Sequence, residues 1–263
     1  MTVYDPASSL VTDNLDIVQL NGVTAVFDGF KALDLPYFGV DRHELRVVIG
    51  PNGAGKTTLC DVISGKTRVT TGTVSFEGRD ITQLGEAKIA GLGVGRKFQT
   101  PTVFDSLTVW ENMELALPRR WHVVQNLWGG PSSAERDQIM ILLKRVNLLG
   151  QLHRPSRYLS HGQRQWLEIS MLMVAKPKLL LVDEPAAGLT DHETELTAEL
   201  LLELKGSHTL IVIEHDMEFV RRLGGRVTVL CEGKVLAEGP LAKVQADEKV
   251  IEAYLGRSKA RAS

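Results

Sequence analysis

Two kinds of hydrophobic pattern alternate along this 263-residue chain. Segments rich in Val, Ile and Leu recur at Arg46 to Ile49, Lys178 to Val182 and Thr209 to Ile213, each ending in polar or glycine-rich sequence. Continuous apolar runs of this kind suit strands covered on both faces. Helical stretches lie between them, so the pattern predicts an α/β fold on a mainly parallel sheet. Leu15 to Val40 precedes the first run, and Gly72 to Gly78 alternates between flanking glycines. That alternation predicts a small hairpin, and hence an antiparallel β flap beside the main sheet. From about residue 100 to 162 the spacing turns helical, over Val109 to Leu117 and Glu135 to Leu149, with a loop signal at Trp128-Gly-Gly-Pro-Ser-Ser133 between them. This region reads as an inserted helical subdomain.

Composition narrows the class. Hydrophobic residues make up 43% and charged residues 24%, an ordinary globular balance. A net charge of -2 supplies no general field toward nucleic acid or anionic lipid. No nucleic-acid partner is expected. The one-sided basic stretch Arg257, Lys259 and Arg261 reads as a flexible tail over 257–263, and 1–14 as a flexible leading segment, around a folded unit over 15–256. No apolar run approaches the roughly 20 residues that cross a bilayer, and the start lacks a basic-then-apolar signal pattern, so the chain is expected to stay in the cytoplasm. Cys60 and Cys231 stand far apart and read as reduced thiols, and the seven His show no metal-ligand spacing.

The chemistry begins at Gly50-Pro51-Asn52-Gly53-Ala54-Gly55-Lys56-Thr57, which fits G-x-x-x-x-G-K-[ST] after an apolar strand and before a helix expected over Lys56 to Ser64. Glycines let backbone N–H groups close around phosphate oxygens, and a helix start adds unpaired N–H groups. Lys56 is placed for the β and γ phosphates, the Thr57 hydroxyl for Mg²⁺, and Thr58 for a further phosphate contact. The loop predicts a P-loop NTPase core but not a family, since kinases, GTPases and motors share it.

Leu179 to Glu184 is an apolar strand ending in two acids. Open parallel sheets bind ligands beyond the carboxyl ends of their strands, the edge that also carries the phosphate loop. Asp183 is therefore a candidate Mg²⁺ ligand, and Glu184 a candidate to orient or deprotonate the attacking water. The strand Thr209 to Ile213 delivers His215 to that edge, within reach of the γ-phosphate and of Glu184.

Leu159-Ser160-His161-Gly162-Gln163, some 20 residues before the acidic pair, resembles the LSGGQ signature of the ATP-binding-cassette family, with His161 in place of the first glycine. The resemblance covers about Leu15 to Gly256. It implies that Ser160, Gly162 and Gln163 contact ATP held by the opposite subunit. It also implies that Gln99, in Arg96-Lys-Phe-Gln-Thr100, senses Mg²⁺ and the attacking water, and that Phe27 stacks on adenine. The family's loop after the acidic pair usually ends in Asp, where this chain has Thr190 followed by Asp191.

Asp-Glu-Pro-Ala-Ala-Gly-Leu189 and the ending Val250-Ile-Glu-Ala-Tyr-Leu-Gly256 look like the branched-chain amino-acid importer group. Phe27-Asp-Gly-Phe-Lys-Ala-Leu33 and Leu159 to Glu168 are similar to ATPase subunits of urea importers. The expected function is therefore an ATPase subunit powering uptake of a small polar solute, urea first, with a branched-chain amino acid or short amide as the alternative. The resemblance further implies a head-to-tail dimer with a second homologous ATPase subunit, transmembrane permease subunits, a periplasmic solute-binding protein, and a place at the cytoplasmic face of the cell membrane. A soluble cassette of translation or DNA repair, or a regulatory module without turnover, are the competing classes.

Overall fold

In the three strands that carry the chemistry, successive side chains enter two different cores. Leu45, Val47 and Ile49 of β3 (Leu45–Ile49), Leu180 and Val182 of β7 (Leu179–Asp183), and Leu210 and Val212 of β8 (Thr209–Ile213) face one core. Val48, Leu179, Leu181, Ile211 and Ile213 face the other. Strand side chains alternate between faces, so a strand covered on both sides is apolar at successive positions, as over Leu179 to Val182 and Leu210 to Ile213, while in β3 the buried Arg46 breaks the run and is paired with Glu44 and Glu238.

This computed structural model describes residues 16–97, 103–118 and 130–253. The main sheet has the order β10-β9-β3-β8-β7-β6. Its strands β9 (Arg226–Cys231), β3, β8, β7 and β6 (Val94–Lys97) are parallel, and β10 (Lys234–Pro240) closes one edge antiparallel to β9. Val48 is opposite Ile213, and Ile213 opposite Asp183. Gly50, Glu184 and His215 consequently leave the sheet at one edge.

The flap is larger than the expected hairpin. Its order is β2-β1-β4-β5, and two 12-residue strands, β1 (Asp16–Phe27) and β2 (Phe30–Asp41), make most of it. The alternating segment contributes β4 (Thr71–Phe76) and the short β5 (Arg79–Asp80). Flap residues Val18, Leu20, Leu33 and Leu35 share a core with Leu59, Cys60 and Ile63 of α1 (Lys56–Ser64). Helix α2 (Glu86–Leu92) closes the same side through buried Ile89.

Helices cover the opposite face: α3 (Val109–Leu115), α4 (Ser133–Arg145), α5 (His161–Val174), α6 (Asp191–Leu204) and α7 (Met217–Leu223), with the short α8 (Leu241–Gln245) beyond β10. Thr108 with Glu111, and Ser132 with Glu135, form reciprocal caps that start α3 and α4. Helix α4 stops four residues before the predicted Leu149, because the chain turns at Asn147, φ +53. Asn112, fully buried, donates to the carbonyls of Phe104 and Thr108 and accepts from the Phe104 amide at 2.8 Å, fixing the entrance to α3. Helices α5 and α6 are tied by a buried bond of 2.9 Å from Trp166 Nε1 to Thr197 Oγ1. Among the described residues no helix is long and apolar enough to cross a membrane.

Candidate functional site

The phosphate loop is shaped by close backbone approaches. Gly50, Gly53 and Gly55 have φ of +156°, +78° and +98°, and a Cβ at Gly55 would press on the Ala32 carbonyl of β2. Glycine is required there for space as well as for conformation. The Gly233 amide donates to the Ala54 carbonyl at 3.0 Å, and the Asp34 amide donates to the Gly233 carbonyl at 2.8 Å, so the turn between β9 and β10 and the flap both brace the loop. Gly233 was not singled out from sequence. Its role depends on a contact between residues far apart in the chain, and no local pattern signals it.

Helix α1 begins at Gly55 with no side-chain cap, which leaves its first amides facing the loop. Lys56, 8% exposed, donates from Nζ to the carbonyls of Gly50 at 2.8 Å and Pro51 at 3.1 Å. Burial pulls its pKa down, and the carboxylates of Glu184 and Asp183 oppose that shift. Thr57 is exposed and Thr58 half-buried in the first turn, and Pro51, Asn52 and Gly53 rim the loop toward solvent. Cys60, one turn on, is fully buried, and burial pushes its thiol far up, as expected of a packed, reduced cysteine.

Asp183 is 2% exposed, and burial followed by the charge of Glu184 raises its pKa, against the pull of Arg96 and Lys97. Its Oδ1 is buried without a hydrogen-bond partner. A buried carboxylate oxygen of that kind, beside a lysine and a threonine-bearing helix start, fits a hard cation such as Mg²⁺.

Glu184 takes φ +47°, uncommon for a residue with a side chain, while its amide still donates to the Ile213 carbonyl at 3.0 Å. The left-handed step turns the strand end out of the sheet, and His215 Nδ1 stands 3.6 Å from Glu184 Oε1.

Beneath them lies Glu214, which sequence reasoning passed over. It is 1% exposed, and its carboxylate accepts from the amides of Ala186 at 2.9 Å, His215 at 3.0 Å and Asp216 at 3.3 Å. Burial raises its pKa and those three donors oppose the rise. The available signal was an acid closing an apolar strand.

Phe27, 47% exposed, sits with Phe30 at the tip of the β1–β2 hairpin, whose second strand packs on the loop at Gly55. Gln99 lies outside the described residues.

Ser160, Gly162 and Gln163 gather elsewhere. Ser160 caps α5 reciprocally with Gln163, the Gln163 amide donating to Ser160 Oγ at 3.2 Å and the Ser160 amide to Gln163 Oε1 at 3.0 Å. Ser160 Oγ donates to Glu193 Oε1 at 3.2 Å. Thr190 caps α6 with the same Glu193, a place that Asp also suits, since both are good N-cap residues. A Cβ on Gly162 would strike the Glu193 carboxylate. None of these three hydrogen-bonds to the phosphate loop among the described residues. Lys56, Asp183, Glu184 and His215 form one cluster, and the signature forms another.

The chain is similar to known proteins in sequence and in fold. A family profile described as "ABC transporter" matches residues 34–187, and one described as "Branched-chain amino acid ATP-binding cassette transporter" matches residues 234–260. The chain is 34% identical to the high-affinity branched-chain amino acid transport ATP-binding protein LivG of Salmonella typhimurium, over 92% of this chain and 98% of that one. A crystal structure of the ADP conformation of an ATP-binding cassette of an ABC transporter superposes with a TM-score of 0.81 at 30% identity, covering 92% of this chain and 100% of that one. A dimeric post-hydrolysis cassette bound to ADP and Pi gives 0.69 at 25% identity, over 85% and 98%.

Proposed function

Because the chain belongs to the ABC transporter family and is an ATPase of its branched-chain amino acid group, we propose that Lys56, Asp183, Glu184 and His215 form its hydrolytic half-site, completed by the signature of a second ATPase subunit. The observation that carries this reading is the separation just described. Lys56 feels the charges of Glu184 and Asp183, whereas Ser160 and Gln163 bond to one another and to Glu193. One chain cannot readily close both clusters on one ATP. Two chains arranged head to tail can, and a relative that is dimeric with ADP and Pi bound supports a two-chain assembly.

In this mechanism Phe27 stacks on adenine, and residues Gly50 to Thr58 receive the phosphates on backbone amides and on Lys56, whose ammonium exchanges its bonds to the Gly50 and Pro51 carbonyls for phosphate oxygens. Asp183 and Thr57 would hold Mg²⁺, with Gln99, and bound metal supplies neutralisation of developing phosphate charge. Glu184 orients the attacking water and takes its proton as the water oxygen bonds to the γ-phosphorus. The bond from that phosphorus to the bridging oxygen of ADP breaks in the same displacement. His215 holds the water and Glu184 in line. Ser160, Gly162 and Gln163 present a hydroxyl and helix-start amides to the γ-phosphate on the facing subunit.

ATP binding then draws the subunits together and hydrolysis releases them, moving permease subunits through the inserted helical subdomain at the cytoplasmic face of the membrane, with a periplasmic solute-binding protein delivering cargo. For the cargo, the C-terminal match over 234–260 and the likeness to LivG favour a branched-chain amino acid over urea. No residue of this subunit is assigned to the cargo. The test is reconstitution with the membrane subunits and binding protein, measuring ATP turnover with leucine, urea or a short amide. Stimulation by leucine is expected. Stimulation by urea alone overturns the cargo assignment and leaves the ATPase intact.

A further inference from the structure

His161 stands where the family signature has glycine, and its side chain has a defined place. Its Nε2 lies 3.2 Å from the Ala187 carbonyl and 3.0 Å from Gln165 Nε2, which itself donates to that carbonyl at 3.2 Å. Gly188, φ +72°, leaves room for the ring: a Cβ there would lie 3.4 Å from Nε2. With the proton on Nε2, His161 donates directly to Ala187. With Nε2 bare, it accepts from Gln165, whose second N–H holds the same carbonyl. Either way, the first turn of α5 is fastened to the loop between Glu184 and α6.

The other end of that loop is fastened as well. Glu193 accepts from Ser160 Oγ through Oε1 and from the Thr190 amide through Oε2, bridging the caps of α5 and α6. At its start, the Ala186 amide is held by Glu214, which also holds the His215 amide. A continuous set of contacts therefore runs from Ser160 and His161, through Ala187 and Ala186, to the strand ends carrying Glu184 and His215. Position 162 could not carry such a link, because Glu193 occupies the space above it. Position 161 is free to carry a side chain.

We propose that His161 is a positioning residue that couples the two nucleotide sites of the dimer, by tying the signature, which serves the partner's ATP, to the loop after Glu184, which serves its own. This rests on the head-to-tail reading above. A glycine at 161 would leave Ala187 to Gln165 alone and remove the ring packed over Gly188, so movement of α5 on engaging ATP would reach the neighbouring catalytic loop more weakly.

The experiment uses the assembled transporter with His161→Gly, His161→Gln and Ser160→Arg, reading kcat, KM and the Hill coefficient for ATP. His161→Gly should lower kcat roughly tenfold and abolish cooperativity, with ATP affinity of the isolated subunit unchanged, since the phosphate loop does not touch it. His161→Gln, whose amide can reach the same carbonyl, should keep most of both. Wild-type kcat and cooperativity in His161→Gly overturn the proposal, as does a His161→Gln variant impaired as badly as the glycine. Should His161→Gly not fold, His161→Ala, which also removes the ring and its contact with the Ala187 carbonyl, must lose cooperativity for the proposal to stand. Ser160→Arg separates the two readings. If it turns over normally the two-chain site itself is wrong, whereas an inactive Ser160→Arg beside a normal His161→Gly removes only the coupling.

Discussion

His215 Nδ1 lies 3.6 Å from Glu184 Oε1, each at the end of one of two adjacent parallel strands. The pairing of Asp183 with Ile213 fixes that approach, since a slip of one residue would turn one of the side chains to the other face of the sheet. Glu184→Gln keeps the shape and removes the base. It should retain ATP binding and lose hydrolysis by roughly 100-fold or more. Single-turnover phosphate release is the measurement, and near-normal turnover would remove Glu184 from its role.

Lys56→Ala addresses binding. The ammonium is buried, close to two carboxylates, and held by two loop carbonyls, so its loss removes both the phosphate's cationic partner and a brace of the loop. ATP affinity by calorimetry should fall roughly tenfold or more, the scale of a charge-assisted hydrogen bond. An unchanged Kd would count against the phosphate cradle.

What was legible in the sequence divides by range. The phosphate loop and the acidic strand end are written in a few adjacent residues, since local backbone chemistry dictates them. The strand Thr209 to Ile213 and the helix Lys56 to Ser64 have the boundaries read from sequence. The long flap strands β1 and β2 were less visible, because β1 is interrupted by register shifts near Val18 and Val26 that break its alternation. Gly233 acts through partners brought near only by folding, as do Glu214 toward Ala186 and Glu193 toward Ser160. His161 could be noticed as a departure from a pattern, but Ala187 as its partner could not.

Phe27 supplies a prediction independent of the phosphates. Its ring is half exposed at the hairpin tip, and an exposed aromatic there gains most by stacking on a base. Phe27→Ala should weaken ATP binding by about 1–3 kcal/mol, the usual worth of base stacking. Affinity for inorganic tripolyphosphate should not change. Equal loss for both ligands in competition calorimetry would mean that the substitution disturbs the loop rather than the adenine contact.

Asp183 sets function against stability. Its buried Oδ1 has no hydrogen-bond partner, and burial together with Glu184 raises its pKa, so holding it ionised costs folding free energy. For an acid whose folded pKa exceeds its unfolded value, the folded state binds the proton more tightly. Its penalty is absent below the unfolded value and grows as pH rises through the folded one. Asp183→Asn removes that penalty at neutral pH. The nucleotide-free protein should therefore melt about 2–4 °C higher, the shift that ~1 kcal/mol produces in a domain of this size. The gain should shrink as pH falls toward the ordinary carboxylate range. The variant should also lose the extra stabilisation that Mg²⁺ adds to ATP, because the carboxylate assigned to the ion is gone. Melting curves with ATP plus EDTA and with ATP plus Mg²⁺, at pH 5 and pH 7.5, check both halves. A variant that melts lower without nucleotide, or that still gains from Mg²⁺, would mean that Asp183 is a structural acid and that the cation is held by other residues.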